Sequence, residues 1–128
     1  MKDIYHRLVE FTQDGVYRYG FDDGVVQFAN TGFVRILDLD LSPDAVVGRS
    51  LHDLIVYVEP EGRLRRVAAE RGEIHGLEYR FRTLKGDERV VLHDAFVLHD
   101  PATGGRVVEA VIRDITERKR HEEALAAT

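Results

Sequence analysis

Leu77-Glu78-Tyr79-Arg80-Phe81-Arg82 alternates apolar and charged residues without a break. A period of two marks a half-buried β-strand, with Leu77, Tyr79 and Phe81 on one face and the charges on the other. Lys85-Gly86-Asp87 turns the chain. Residues 90–98 and 106–115 then read as two further strands, joined by Asp100-Pro101-Ala102-Thr103-Gly104-Gly105. Both are apolar on both faces, as in Val90, Val91, Leu92, Ala95, Phe96, Val97 and Leu98, so the outer face of the sheet needs a cover as well as the inner one. With a three-residue loop at 85–87, Tyr79 is expected opposite His93 and Phe81 opposite Val91. A one-residue change of register would put Asp94 opposite Tyr79. The His93 register is preferred, and the plainest reading of Tyr79 and His93 is a satisfied core pair.

Upstream, residues 3–12 have helical spacing, with Ile4, Leu8 and Phe11 on one face, and Gly15 ends the pattern. Residues 16–21 and 25–28 read as a hairpin about Asp22-Asp23-Gly24, because Asp-Gly supplies the positive φ of a tight turn. Phe33, Ile36 and Leu37 return to helical spacing, with Asn30 or Thr31 as N-cap. Ser42-Pro43-Asp44 starts a second short helix: a serine cap, proline at the first helical position and an acid in the first turn. Gly48 ends it. Glu59-Pro60 starts a third, which runs to about Gly72.

The order is helix, two strands, several short helices, three strands, helix. It predicts an α+β domain: one five-stranded antiparallel sheet with helices on one face, an N-terminal amphipathic helix and a C-terminal linker helix. The chain has 128 residues, 44% of them hydrophobic, which suits one core. A net charge of -5 argues against nucleic acid as a partner. Arg63, Arg65, Arg66 and Arg71 are interleaved with Glu59, Glu61, Glu70 and Glu73, as on a solvated helix face. There is no cysteine, which excludes disulfides, thiolate catalysis and cysteine-bound metals. No apolar run nears the ~20 residues of a membrane span, and no signal-peptide core is visible. The chain reads as cytoplasmic, with no membrane insertion.

No catalytic set is legible. Ser42 is a helix cap, and Ser50 beside His52 suggests only a local contact. Asp38-x-Asp40-x-Ser42 resembles a calcium loop, but Pro43 holds the glycine position and Arg49 the bidentate glutamate position. His93 and His99 would stand about 20 Å apart on one strand, too far for one ion. The domain is read as non-catalytic and without metal.

Three blocks carry a resemblance. Asp23-Gly24-Val25-Val26-Gln27-Phe28-Ala29-Asn30-Thr31-Gly32-Phe33 looks like a hairpin entering a first core helix. Ser42-Pro43-Asp44-Ala45-Val46-Val47-Gly48-Arg49-Ser50-Leu51 looks like a short helix closed by glycine. Arg113-Asp114-Ile115-Thr116-Glu117-Arg118-Lys119 looks like the Asp-Ile-Thr junction between a last strand and a signalling helix. In this order and at these separations, the chain resembles the PAS domain family from about Gly15 to Glu123. It departs at Asp38-Leu39-Asp40-Leu41, where relatives often have Gly-Tyr.

The resemblance implies three segments: an N-terminal helix (1–13), a PAS sensor domain (14–116) and the start of a linker helix (117–128). It implies a sensory module of a larger signalling protein, of the histidine kinase or diguanylate cyclase class, that senses a small ligand and relays it through the C-terminal helix. A ligand-free dimerisation and relay module is the alternative, and a small α+β enzyme a third. The attached output domain would be the enzyme, if there is one. The ligand pocket would involve Phe28, Phe33, Leu37, Leu54, Tyr79, Phe81, Val91, His93, Ala95 and Ile112. Asp114, Ile115 and Thr116 would transfer the signal, with Thr116 capping a helix from Glu117. Ile4, Leu8 and Phe11 would join the outer sheet face in a homodimer.

The blue-light flavin-adduct and coumaroyl subfamilies need a cysteine that this chain lacks. Haem-binding relatives take a ligand from the helix here at about 60–71, which has no histidine. Non-covalent flavin stays open, though the chain has no Trp. Any ligand is unidentified.

Overall fold

The computed structural model describes residues 7–10, 12–57, 66 and 70–127. The expected helix at 60–71 lies almost wholly outside them, as do Ile4 and Phe11. Residues 7–10 are helical; Leu8 is exposed and Val9 buried.

Among the described residues, six strands form one antiparallel sheet: β1 Gly15–Gly20, β2 Val26–Ala29, β3 Ile55–Tyr57, β4 Glu73–Thr83, β5 Glu88–His99 and β6 Arg106–Asp114. Their spatial order is β2-β1-β6-β5-β4-β3. The first strand therefore pairs with the last, and the chain closes its sheet through its most distant segments. The expected count of five is corrected to six. β3 has three residues, too few to show a period, and it forms because Ile55, Val56 and Tyr57 find the free edge of β4 at Thr83, Arg82 and Phe81.

Helix α1, Thr31–Ile36, is capped by Asn30, and α2, Pro43–Val46, by Ser42, whose hydroxyl accepts from the Ala45 N–H. A 3₁₀ turn, Leu51–Asp53, leads into β3. Helix α1 ends in a Schellman motif: Asp38 N–H donates to the Arg35 carbonyl and Leu39 N–H to the Val34 carbonyl, both at 3.0 Å. Asp38 takes φ 54°, the left-handed position normally given to glycine. The departure at Asp38 is thus a change of capping residue that leaves the cap intact.

The β4–β5 register differs from expectation by two residues. Tyr79 stands opposite Val91, Leu77 opposite His93 and Phe81 opposite Arg89. The loop has three residues, but they are Leu84, Lys85 and Gly86: Thr83 N–H donates to the Asp87 carbonyl, and Gly86 N–H to the Thr83 carbonyl. A three-residue hairpin loop puts its left-handed residue last, and Gly86, at φ 95°, is the residue that fits. A two-residue slip keeps every side chain on its face, so the inward set survives the correction.

Candidate functional site

The inner face of the sheet is built by alternation. Tyr79 and Phe81 from β4, Val91 and Ala95 from β5, Ala110 and Ile112 from β6 and Tyr17 from β1 meet Phe33, Leu37 and Leu54 in one buried cluster. All the pocket candidates except Phe28 and His93 are members of it. His93 is buried on the same face, 3% exposed, between Leu77 and Ile112 of the flanking strands.

Phe28 is the correction. It stands opposite Arg18, which stands opposite Glu109, so it belongs to the outward face and is half-buried. Val26 pairs with Tyr19 while Phe28 pairs with Arg18, leaving Gln27 as an extra residue. This bulge reverses the face between two residues that simple alternation puts together.

The expected Tyr79–His93 pair is replaced by another. The Tyr17 hydroxyl lies 2.9 Å from His93 Nε2. Tyr17 sits opposite Ala110, which sits opposite Ala95, so two small residues let the phenol lie across the sheet toward His93. The Tyr17 ring also packs on Phe33 at 4.6 Å and on Tyr19 at 5.6 Å, while Tyr79 meets Tyr57 edge-on at 6.3 Å. Burial lowers the His93 pKa from 6.5 to about 4, so the imidazole is neutral at physiological pH. Burial, then the neighbouring Tyr19, raises that of the Tyr17 phenol well above 10. The pair is an uncharged hydrogen bond. Among the described residues, His93 Nδ1, on the other edge of the ring, is buried without a partner. A buried polar atom left unpaired costs about 1–3 kcal/mol.

Asn30 is a second buried polar centre that the sequence reading treated only as a cap. Its Oδ1 accepts from Val16 and Phe33 N–H, both at 2.9 Å. Its Nδ2 donates to the Val9 and Asp14 carbonyls at 2.8 and 3.0 Å. One side chain therefore ties the N-terminal segment, β1 and α1 together.

At the C-terminal junction, Ile115 N–H donates to the Val90 carbonyl at 2.9 Å, and Val90 N–H donates to Thr116 Oγ1 at 3.0 Å. Thr116 gives its hydroxyl proton and, at 2.9 Å, its N–H to Asp114 Oδ1. The helix α3, Thr116–Ala126, starts one residue earlier than expected. Thr116 is its first residue, and its hydroxyl serves β5 rather than the helix. Asp114, two residues upstream, is the side chain that closes the turn. Beyond it, α3 lies against β4 and β5: Arg80 pairs with Glu123 at 2.7 Å and Glu88 at 2.9 Å, and Lys119 with Glu78 at 2.9 Å. Glu123 thus answers a charge on β4 rather than one on its own helix. A cleft of about 250 Å³ opens between this helix and the sheet, lined by Arg80, Glu88, Val90, Thr116 and Arg120 among others.

A family model described as PAS domain matches residues 14–117. The chain belongs to the PAS domain family. Among solved structures, it is similar to a PAS domain from a two-component sensor histidine kinase at 16% identity and a TM-score of 0.71, over 88% of this chain and 95% of that one. The PAS domain of nitrogen regulation protein NR(II) from Vibrio parahaemolyticus gives 14% and 0.73, over 88% and 98%. A sensory box histidine kinase/response regulator from Burkholderia thailandensis E264 gives 24% and 0.63, over 96% and 92%. No curated protein matches the chain. At these identities the structural likeness speaks for the fold. Among the described residues of this PAS domain, no helix is long and apolar enough to cross a membrane.

Proposed function

We propose that this PAS domain is a non-catalytic sensor that binds a small molecule against the inner sheet face and relays its presence through α3 to an attached output domain. The observation that carries this reading is the double use of β5. The strand presents His93 to the core, and three residues earlier it presents Val90, whose N–H and carbonyl are both engaged by the Ile115–Thr116 junction. A shift of β5 under a ligand moves the start of α3 with it, because two hydrogen bonds to one residue leave little slack. Residues 14–116 act as the sensor and the helix beyond as the linker. The output domain is of the histidine kinase or diguanylate cyclase class, and the protein works in the cytoplasm.

The test uses the longer protein in which α3 continues into an output domain. Asp114→Ala and Thr116→Ala are expected to uncouple output from stimulus while the sheet stays folded. Regulation that survives both changes in a folded protein rules out the junction as the coupling point.

The outward face favours a second copy as cover. Phe96, Leu98 and Val111 are 45%, 42% and 38% exposed there, and Leu8 on the N-terminal segment is 67% exposed. Light scattering is expected to give a dimer for the wild type and a monomer for Leu8→Glu with Phe96→Glu. A wild type that is monomeric at high concentration removes this part of the reading.

A further inference from the structure

The ligand class can be argued from the unpaired nitrogen, resting on the sensory reading above. Among the described residues, the Tyr17 hydroxyl has His93 Nε2 as its one hydrogen-bond partner. A buried phenol must place its proton on an acceptor, so Tyr17 donates and Nε2 accepts. A neutral imidazole that accepts at Nε2 carries its proton at Nδ1. The atom left unpartnered is therefore an N–H donor.

Two other buried polar side chains already have partners. Asn30 makes two bonds at its oxygen and two at its nitrogen. Thr83 Oγ1 accepts from the Asp87 N–H. No Lys or Arg among the described residues is buried, so a carboxylate or phosphate brought to His93 would stay unneutralised, at a heavy desolvation cost. The aromatic rings of the same core, Tyr17 beside His93 and then Phe33, Tyr79 and Tyr57, favour a flat apolar body.

We propose that His93 Nδ1–H is the recognition donor for an uncharged, largely apolar ligand that bears a carbonyl-type acceptor. Tyr17 is the positioning residue that fixes the tautomer. A Tyr17 that could not donate would leave the Nδ1 proton unspecified, and selectivity for an acceptor would be lost.

Three probes of one shape separate the possibilities: benzamide (neutral carbonyl), benzoate (charged) and toluene (no acceptor). Binding is followed by the ¹⁵N and ¹H signals of the His93 ring in labelled protein. Native mass spectrometry of the purified domain, repeated after denaturation, reports any molecule that co-purifies. Benzamide is expected to bind at least tenfold more tightly than the other two and to shift the Nδ1–H signal. The Tyr17→Phe/His93→Phe double variant, which removes both polar partners together, is expected to lose that preference.

If the variant does not fold, the wild-type ring signals alone decide. Equal binding of toluene and benzamide, or a co-purified molecule that leaves Nδ1–H unmoved, overturns the role of His93 while the sensory reading stands. Absence of any co-purified molecule and of any probe binding, with Nδ1–H held by an internal water, overturns both.

Discussion

Tyr17 and His93 are 76 positions apart in sequence and meet in the core with the hydroxyl 2.9 Å from Nε2. The bond ties the first strand of the sheet to its longest strand across β6. Tyr17→Phe leaves Nε2 buried without its donor, with an expected loss of about 1–3 kcal/mol in urea unfolding. The double replacement by Phe is expected to cost less than the sum of the two single changes, since it leaves no orphan nitrogen. Strict additivity would show that the two side chains are not coupled.

The same histidine sets a pH dependence. Its folded-state pKa, about 4, lies below the ordinary 6.5, so the unfolded chain binds the proton more readily. Stability is then full above about pH 6.5 and is lost as pH falls toward 4, by up to roughly 3 kcal/mol. Urea midpoints at pH 7.5 and 5 measure it. A variant without the imidazole, His93→Phe, is expected to lose this share of the slope; an unchanged slope assigns the effect to other groups.

Asp38 sits at φ 54° at the close of α1. Glycine takes that conformation without the Cβ penalty, so Asp38→Gly is expected to stabilise the domain by about 0.5–1 kcal/mol. The exposed contacts of Asp38 and Asp40 with Lys85, at 3.3 and 3.1 Å, offset little of this. Asp38→Val is expected to do the opposite, because a β-branched residue tolerates positive φ poorly. Thermal melts of both variants decide; a lower melting temperature for Asp38→Gly would show that the side chain matters more than the backbone.

Asn30 satisfies four backbone groups from three segments. Asn30→Ala removes a helix cap and strands buried carbonyls, so a loss of roughly 2–4 kcal/mol is expected. Amide exchange should accelerate most at Val16 and Phe33, whose N–H groups lose their acceptor. Protection unchanged at these two amides would mean that water replaces the amide at no cost.

Helix α3 is held on the sheet largely by exposed ion pairs, Arg80 with Glu123 and Lys119 with Glu78. Such pairs weaken as the Debye length shrinks, from about 30 Å at 0.01 M salt to about 3 Å at 1 M. Hydrogen exchange in the second half of α3 should therefore rise with salt while β5 and β6 stay protected. The Ile115–Thr116 junction, held by buried hydrogen bonds to Val90, should not respond. A helix equally protected at both salt concentrations is held by something other than charge.

Much of the fold was legible because its signals are local. The alternation of Leu77, Tyr79 and Phe81, the caps at Asn30 and Ser42 and the Asp-Gly turn each depend on near neighbours, so spacing alone reveals them. Asp114-Ile115-Thr116 was legible as a junction for the same reason. The helical face of Ile4 and Phe11, by contrast, lies outside the described residues, and β3 was too short to read.

What the sequence by itself determined is the order of the described elements apart from β3, the identity of the inward residues on β4 and β5, and the absence of thiol chemistry. What only the tertiary structure decided is which of those residues meet. The pairing of Tyr17 with His93 needs β1 and β5 to sit on either side of β6, a closure between the two ends of the chain. The outward turn of Phe28 needs one extra residue at Gln27, which is defined only against a partner strand. The β4–β5 register turns on whether Gly86 is the second or third residue of its loop. Hydrogen-bond partners, bulges and registers are relations between segments distant in sequence, and periodicity along one segment carries no information about them.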